Sequence, residues 1–187
     1  EQIKLGTACL VTSTRNPLYL ALEWATLDQI SNGRAILGAC MGNPEQGVRR
    51  EFAALGLEYK NRASIFEEGL QVLRALWTDG KVNFDGEHFQ YEGVEFFSGT
   101  EMGPLMPVQS PPPIWVVSNI RLTGELESDV ARRRLERSCR RIAELGDGWM
   151  TCCRAEHPEE VVEQLGYLSR AAEEAEIDIS EHAISYQ

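Results

Sequence analysis

Runs that are apolar along almost their whole length alternate with helical stripes, and this alternation constrains the fold more than any single motif. Ile3 to Val11 (IKLGTACLV) and Arg34 to Met41 are such runs, as are Ile114-Trp115-Val116-Val117 and Gly148 to Cys153; Ala183 to Tyr186 opens one more. A strand with one wet face alternates apolar and polar residues, whereas a strand covered on both faces does not. Helices separate these runs. Asn16-Pro17 is a helix start, with Asn as cap and Pro at the first helical position. That helix passes through Leu22, Ala25 and Asp28 to about Ser31, and Asn32-Gly33 stops it, since both residues tolerate left-handed backbone. Phe66, Leu70, Leu73 and Trp77 mark a second helical face, and Thr78-Asp79-Gly80 ends it. Ala131, Leu135, Cys139, Ile142 and Leu145 form a third stripe. Val161, Leu165, Leu168 and Ala172 form a fourth, opened by Pro158-Glu159-Glu160 with acidic residues at the positive end of the helix.

Two segments interrupt the alternation. Gly42 to Asn61 reads as a long loop with a short helix around Arg50 to Leu55. Lys81 to Pro113 reads as an excursion that begins with a hairpin: Val82-Asn83-Phe84, a turn at Asp85-Gly86, then His88-Phe89-Gln90-Tyr91. The order β-α-β-α-(excursion)-β-α-β-α-β implies a parallel sheet covered by helices. Periodicity leaves two architectures open, a doubly wound sheet and a (β/α)8 barrel. Five strands are too few to close a barrel, which takes about 250 residues.

The 187 residues suffice for one sizeable core, and the expectation is a single domain over 1–187 with the excursion at about 81–113. The net charge of -11 argues against nucleic acid or an anionic membrane as partner. No apolar run is long enough to span a bilayer. The five cysteines, Cys9, Cys40, Cys139, Cys152 and Cys153, contain no CxxC and signal neither a disulfide framework nor a zinc site. No metal is expected, and a reducing, cytoplasmic setting fits this usage. The first residue is Glu1, inside an apolar pattern, so the chain is expected to be a piece of a longer protein.

Particular words choose between the two architectures. Leu5-Gly6-Thr7-Ala8, Asn16-Pro17, Leu27-Asp28-Gln29-Ile30-Ser31-Asn32-Gly33-Arg34 and Leu37-Gly38-Ala39-Cys40 resemble the luciferase-like monooxygenase family. Leu73-Arg74-Ala75-Leu76-Trp77, Pro113-Ile114-Trp115-Val116-Val117 and Gly146-Asp147-Gly148-Trp149 follow in the family's order. The resemblance spans nearly the whole chain. It implies α/β structure of the (β/α)8 TIM-barrel type, here incomplete, with the strands corresponding to the third through the seventh. It also implies a cofactor, either reduced FMN for oxygen activation or coenzyme F420 for hydride transfer.

In a parallel barrel, ligands sit at the carboxyl ends of the strands. Ala8 and Cys9 lie near the end of the first strand, where the resemblance implies a bulge and a non-prolyl cis peptide under the flavin ring; Ala8–Cys9 is the candidate bond. Cys40 and Met41 end the next strand. The resemblance to bacterial luciferases places a reactive cysteine beside the flavin there, which makes Cys40 a candidate for cofactor contact and the one candidate for catalysis. Val117, Ser118, Asn119 and Ile120 follow the strand that the family uses for the flavin phosphate, with Arg121 and Thr123 nearby. Many relatives have glycines and a serine at this point, where this chain has Val117-Ser118-Asn119.

Other residues carry weaker signals. Gly42 and Gly47 are candidates to shape an anion-binding loop, but their spacing is no Walker or Rossmann fingerprint; the loop is expected to form part of the rim over the substrate, with Arg49 and Arg50 at a solvated surface. Trp149 stands at the start of its strand and is expected to pack, whereas Cys152 and Cys153 stand where a pocket would be lined. An Asp28–Arg34 pair is expected to tie helix to strand. His88, His157 and His182 show no role.

The main functional expectation is a monooxygenase that takes reduced FMN from a separate reductase and uses oxygen on a small organic substrate. The cofactor would carry the chemistry, so no acid–base dyad need appear. The rivals are an F420-dependent oxidoreductase on the same barrel, a non-catalytic flavin-binding or partner subunit in a homo- or heterodimer, and a fragment that binds nothing.

Overall fold

A computed structural model describes residues 3–96, 103–118, 129–151 and 158–186. The chain divides into two compact units, Glu1–Pro113 and Ile114–Gln187.

The first unit contains β1 (Leu5–Gly6), β2 (Leu10–Val11), α1 (Pro17–Ser31), β3 (Ala35–Cys40), α2 (Gln46–Ala54), α3 (Arg62–Asp79), β4 (Lys81–Asp85) and β5 (Gln90–Glu95). The Asn16 side chain accepts from the amides of Leu18 and Tyr19 at 2.9 and 3.4 Å, with Pro17 at the first helical position. Such a cap contributes about 1 kcal/mol. At the other end Asn32 and Gly33 take positive φ, 54° and 73°, as the stop signal predicts. α1 buries Leu20, Ala21, Trp24 and Ala25; α3 buries Ile65, Phe66, Leu70, Leu73, Leu76 and Trp77. The Trp77 indole N–H donates to the Ala21 carbonyl at 3.0 Å, which joins the two helices and satisfies a buried donor.

β1 and β2 both pair in parallel with β3, which is buried along most of its length. Leu5 and Gly6 face Ala35 and Ile36; Leu10 and Val11 face Ala39 and Cys40. Thr7, Ala8 and Cys9 therefore stand opposite only Leu37 and Gly38, so the run expected as one strand is two strands around a bulge of one extra residue.

The start of β3 is held by Asp28, which is fully buried. Its carboxylate accepts from the Gln109 amide at 2.8 Å, the Gln109 side chain at 2.7 Å and the Ala35 amide at 3.3 Å. The expected Asp28–Arg34 pair is thus corrected. Arg34 instead donates to the Ser31 and Ile3 carbonyls, at 2.7 and 2.9 Å, and Gln109, from the excursion, takes its place on Asp28. A buried carboxylate needs several donors, and a nearby amide side chain with its own backbone N–H supplies two from one residue.

The segment 42–61 is more ordered than a long loop. α2 starts at Gln46, and a 3-10 turn covers Tyr59–Asn61. The excursion begins with the expected hairpin, with β4 antiparallel to β5. Glu68 of α3 accepts from the amides of Glu87, His88 and Phe89 in its turn, at 2.9, 2.9 and 3.1 Å. His88 meets Ser64 at 2.7 Å.

The second unit contains β6 (Ile114–Val117), α4 (Asp129–Leu145), β7 (Gly148–Thr151), α5 (Pro158–Glu174) and β8 (Ala183–Tyr186). Its three strands are parallel, with Trp115, Val116 and Val117 facing Gly148, Trp149 and Met150, and Gly148 to Thr151 facing Ala183 to Tyr186. α4 contributes Leu135, Cys139 and Ile142 to the core, and α5 contributes Leu168 and Ala172. The Gly146-Asp147-Gly148-Trp149 word is structural. A Cβ on Gly146 would lie 2.8 Å from the Ile142 carbonyl oxygen, and one on Gly148 would lie 2.7 Å from that of Ala183. Asp147 accepts from the Ile114 amide at 2.8 Å through its carboxylate and donates its own amide to the Ile114 carbonyl at 2.7 Å.

Candidate functional site

The carboxyl end of the first unit's sheet gathers four of the expected site residues: Ala8 and Cys9 in the bulge, Cys40 as the last residue of β3, and Met41 just after it. The Ala8–Cys9 peptide is cis, at the bond expected; the Ser110–Pro111 peptide is also cis. Thr7 rebuilds the interrupted ladder with its hydroxyl, which donates to the Gly38 carbonyl at 3.0 Å and accepts from the Gly38 amide at 3.1 Å. A short hydroxyl side chain replaces both backbone partners, so the chain bulges without leaving Gly38 unsatisfied.

The bulge brings Cys9 against Cys40, with their sulfurs 3.0 Å apart. Cys9 is exposed and Cys40 half-buried. In the neutral pair the Cys9 thiol donates to Cys40. When Cys9 ionises, the Cys40 thiol donates to the thiolate and pulls the Cys9 pKa down to about 7 against the opposing effect of burial. Cys139, in the core of the second unit, is pushed up to about 12 by burial.

Beyond β3, Gly42 takes φ +84°, and a Cβ there would meet the Val48 side chain at 2.9 Å. Tyr59 organises this turn. Its hydroxyl donates to the Asn43 carbonyl at 2.8 Å, its ring meets Phe52 edge-on, and the guanidiniums of Arg49 and Arg62 stand 4.3 and 4.2 Å from its centroid. Arg49 is therefore engaged by Tyr59 and by the Pro44 carbonyl, and Arg50 is exposed. Tyr59 is no site candidate in the sequence, because its pairing with two arginines exists only after folding.

In the second unit, Val117 ends β6 and Ser118 follows it, nearly buried. The Ser118 amide donates to the Met150 carbonyl at 3.2 Å, and the Ser118 carbonyl accepts from the Trp149 indole at 2.9 Å. Trp149 is fully buried and packs, as expected. It also fixes the strand end that carries Ser118. Asn119, Ile120, Arg121, Thr123, Cys152, Cys153 and His157 lie outside the described residues. A separate groove of about 520 Å³ runs between α4 and α5, lined by Glu136, Arg137, Arg140, Tyr167, Arg170 and Glu174. Arg140 pairs there with Glu144, and Arg170 covers the Tyr167 ring.

Among the described residues no group of acidic, histidine or cysteine side chains is arranged to hold a metal, and no helix is long and apolar enough to cross a membrane. The set at the first unit's strand ends is small: an alanine, a thioether and two thiols, of which Cys9 is the more readily ionised. It suits one side of a planar, largely apolar ring and does not suit a highly charged group.

Sequence comparison decides the family. The model of the luciferase-like monooxygenase family matches residues 1–125. This chain belongs to that family. An F420-dependent glucose-6-phosphate dehydrogenase from Nocardia farcinica is 33% identical over 104 residues, covering 55% of this chain and 31% of the relative. Two solved structures share the fold. Monooxygenase RslO1 from Streptomyces bottropensis superposes with a TM-score of 0.71 at 24% identity, over 98% of this chain and 49% of that one. The oxygenating constituent of 3,6-diketocamphane monooxygenase from Pseudomonas putida, in complex with FMN, superposes with a TM-score of 0.70 at 20% identity, over 98% of this chain and 48% of that one. The chain thus spans about half the length of these structures and under a third of the dehydrogenase. The luciferase-like α/β fold class expected from the resemblance holds.

Proposed function

We propose that this chain is part of an oxidoreductase that binds a reduced flavin-type cofactor, with Ala8, Cys9, Cys40 and Met41 of the first unit as the candidate ring contacts; Val117, Ser118, Asn119 and Ile120 stay the phosphate candidates that the family resemblance implies. The observation that carries the reading is the Thr7–Cys9 bulge, with its cis Ala8–Cys9 peptide, which sets Cys9 against Cys40 at the carboxyl end of β3 in a member of this family. Reduced FMN would supply electrons for oxygen activation on a small organic substrate. The protein's own residues would orient the ring, exclude water from its face and hold the strand ends in place through Thr7, Tyr59 and Trp149. A separate reductase would supply the reduced flavin. A single domain, a cytoplasmic location and a homo- or heterodimer belong to the same reading.

The dehydrogenase relative supports a second form, in which the cofactor is F420 and the reaction is hydride transfer without oxygen. Anaerobic titration of the full-length protein with reduced FMN and with reduced F420, followed by oxygen, separates the two. Tight binding of reduced FMN and oxygen-dependent consumption of it support the first form. Preference for F420 with no oxygen consumption replaces it with the second. Failure to bind either leaves a partner subunit or inactive chain and overturns both.

A further inference from the structure

We propose that Cys9 and Cys40 are a peroxide-reactive dithiol pair that closes to an intramolecular disulfide across the bulge. Their sulfurs are 3.0 Å apart although the residues are 31 positions apart in sequence. The parallel pairing of Val11 with Cys40 fixes that proximity in the backbone. A disulfide needs its sulfurs at about 2 Å, an approach that rotation about the Cα–Cβ bonds of two short side chains can supply. Cys9 is exposed to reagents, and Cys40 lies behind it, half-buried, as a resolving group. The Cys40 thiol stabilises the Cys9 charge and lowers its pKa to about 7, which raises the thiolate share at neutral pH.

With hydrogen peroxide as oxidant, the Cys9 thiolate attacks one peroxide oxygen. An S–O bond forms, the O–O bond breaks, and the departing hydroxide takes a proton to become water. The Cys40 sulfur then attacks the Cys9 sulfenic acid. An S–S bond forms, the S–O bond breaks, and a second water leaves with the Cys40 proton. Two thiols are oxidised by the loss of two hydrogens, and one peroxide is reduced to two waters. The pair needs no bound cofactor for this, so the inference stands apart from the reading above.

The test exposes the reduced, cofactor-free full chain to one equivalent of hydrogen peroxide, blocks remaining thiols, and maps tryptic peptides without reduction. The expected product joins peptides 5–15 and 35–49 through Cys9 and Cys40 and is reversed by dithiothreitol. Cys9 should oxidise at least about tenfold faster than buried Cys139. In Cys40→Ser, the Cys9 sulfenic acid should persist and be captured by dimedone; in Cys9→Ser, no bridge should form. The proposal is overturned if Cys9 proceeds to sulfinic acid without bridging, if it links instead to Cys152 or Cys153, or if it reacts no faster than Cys139. The unsubstituted chain decides among these outcomes, so loss of folding in a variant does not.

Discussion

β3 meets β1 and β2 through an interrupted ladder, whereas β6, β7 and β8 run in continuous register. Both sets of ladders are parallel, and in each an aspartate accepts from the first amide of a strand: Asp28 from Ala35 of β3, Asp147 from Ile114 of β6. They differ at the carboxyl end. The first unit inserts an extra residue and exposes a thiol, and the second holds Ser118 with a buried indole. The candidate site residues of the first unit lie where the Thr7 side chain has taken over the hydrogen bonds of Gly38, so the chain changes direction there without leaving polar groups unpaired.

The largest expected difference between the regions is in thiol reactivity. Alkylation of Cys9 by iodoacetamide should rise with a midpoint near pH 7, while Cys139 should stay inert to about pH 12. At pH 7 Cys9 should react at least about tenfold faster than Cys139, since only the thiolate reacts. The sign for stability follows from the lowered value. The folded state favours the Cys9 thiolate, so the contribution is fully present above about pH 9 and is lost as pH falls through about 7. Peptide-resolved alkylation from pH 5 to 10 checks this. Equal midpoints for Cys9 and Cys139 would erase the contrast between the two regions.

The two aspartates sharpen the comparison at the opposite ends of the strands. Asp28→Ala strands three donors in a fully buried place and should cost about 3 kcal/mol. Asp147→Ala, at a half-buried position, should cost about 1–2 kcal/mol. Urea denaturation of both variants measures the difference; a larger loss at Asp147 would mean that burial does not set the order. At the carboxyl end, Trp149→Phe keeps the packing and removes the indole donor to Ser118. It should cost about 1 kcal/mol, read in the same titration, and an unchanged midpoint would deny Trp149 its part in fixing the strand end.

Much of the first unit was legible because its signals are local. The Asn16-Pro17 start, the Asn32-Gly33 stop and the Asp85-Gly86 hairpin each depend on a few adjacent residues. The gathering of Ala8, Cys9, Cys40 and Met41 was legible only through family resemblance, since no spacing rule brings residues 31 positions apart into contact. What stayed hidden is long-range and polar. Gln109 reaches Asp28 across 81 positions, and Tyr59 is bracketed by Arg49 and Arg62 only after two turns fold together. Asp28 and Arg34, close in sequence and opposite in charge, suggested a pair. The carboxylate went to neutral donors instead, because burying both charges would have cost desolvation twice.

The smallest effect concerns two glycines that the sequence presents as one loop signal. Gly42 takes φ +84° and has the Val48 and Val11 side chains within 3.4 Å of where a Cβ would be, so a side chain is strained there on both counts. Gly47 lies inside α2, and a Cβ on it would meet nothing within 4 Å. A helical glycine in open space costs backbone entropy and returns no contact, so Gly47→Ala should raise stability by about 0.5 kcal/mol. The gain would appear as a small upward shift of the urea midpoint with an unchanged slope. Gly47→Ala should also leave Cys9 alkylation unaltered, because α2 begins six residues beyond Cys40 and the turn between them is fixed by Gly42 and Tyr59. Loss of stability at Gly47, or a slower Cys9, would show that α2 is coupled to the strand ends and that the scaffold of the bulge extends outward to include the helix.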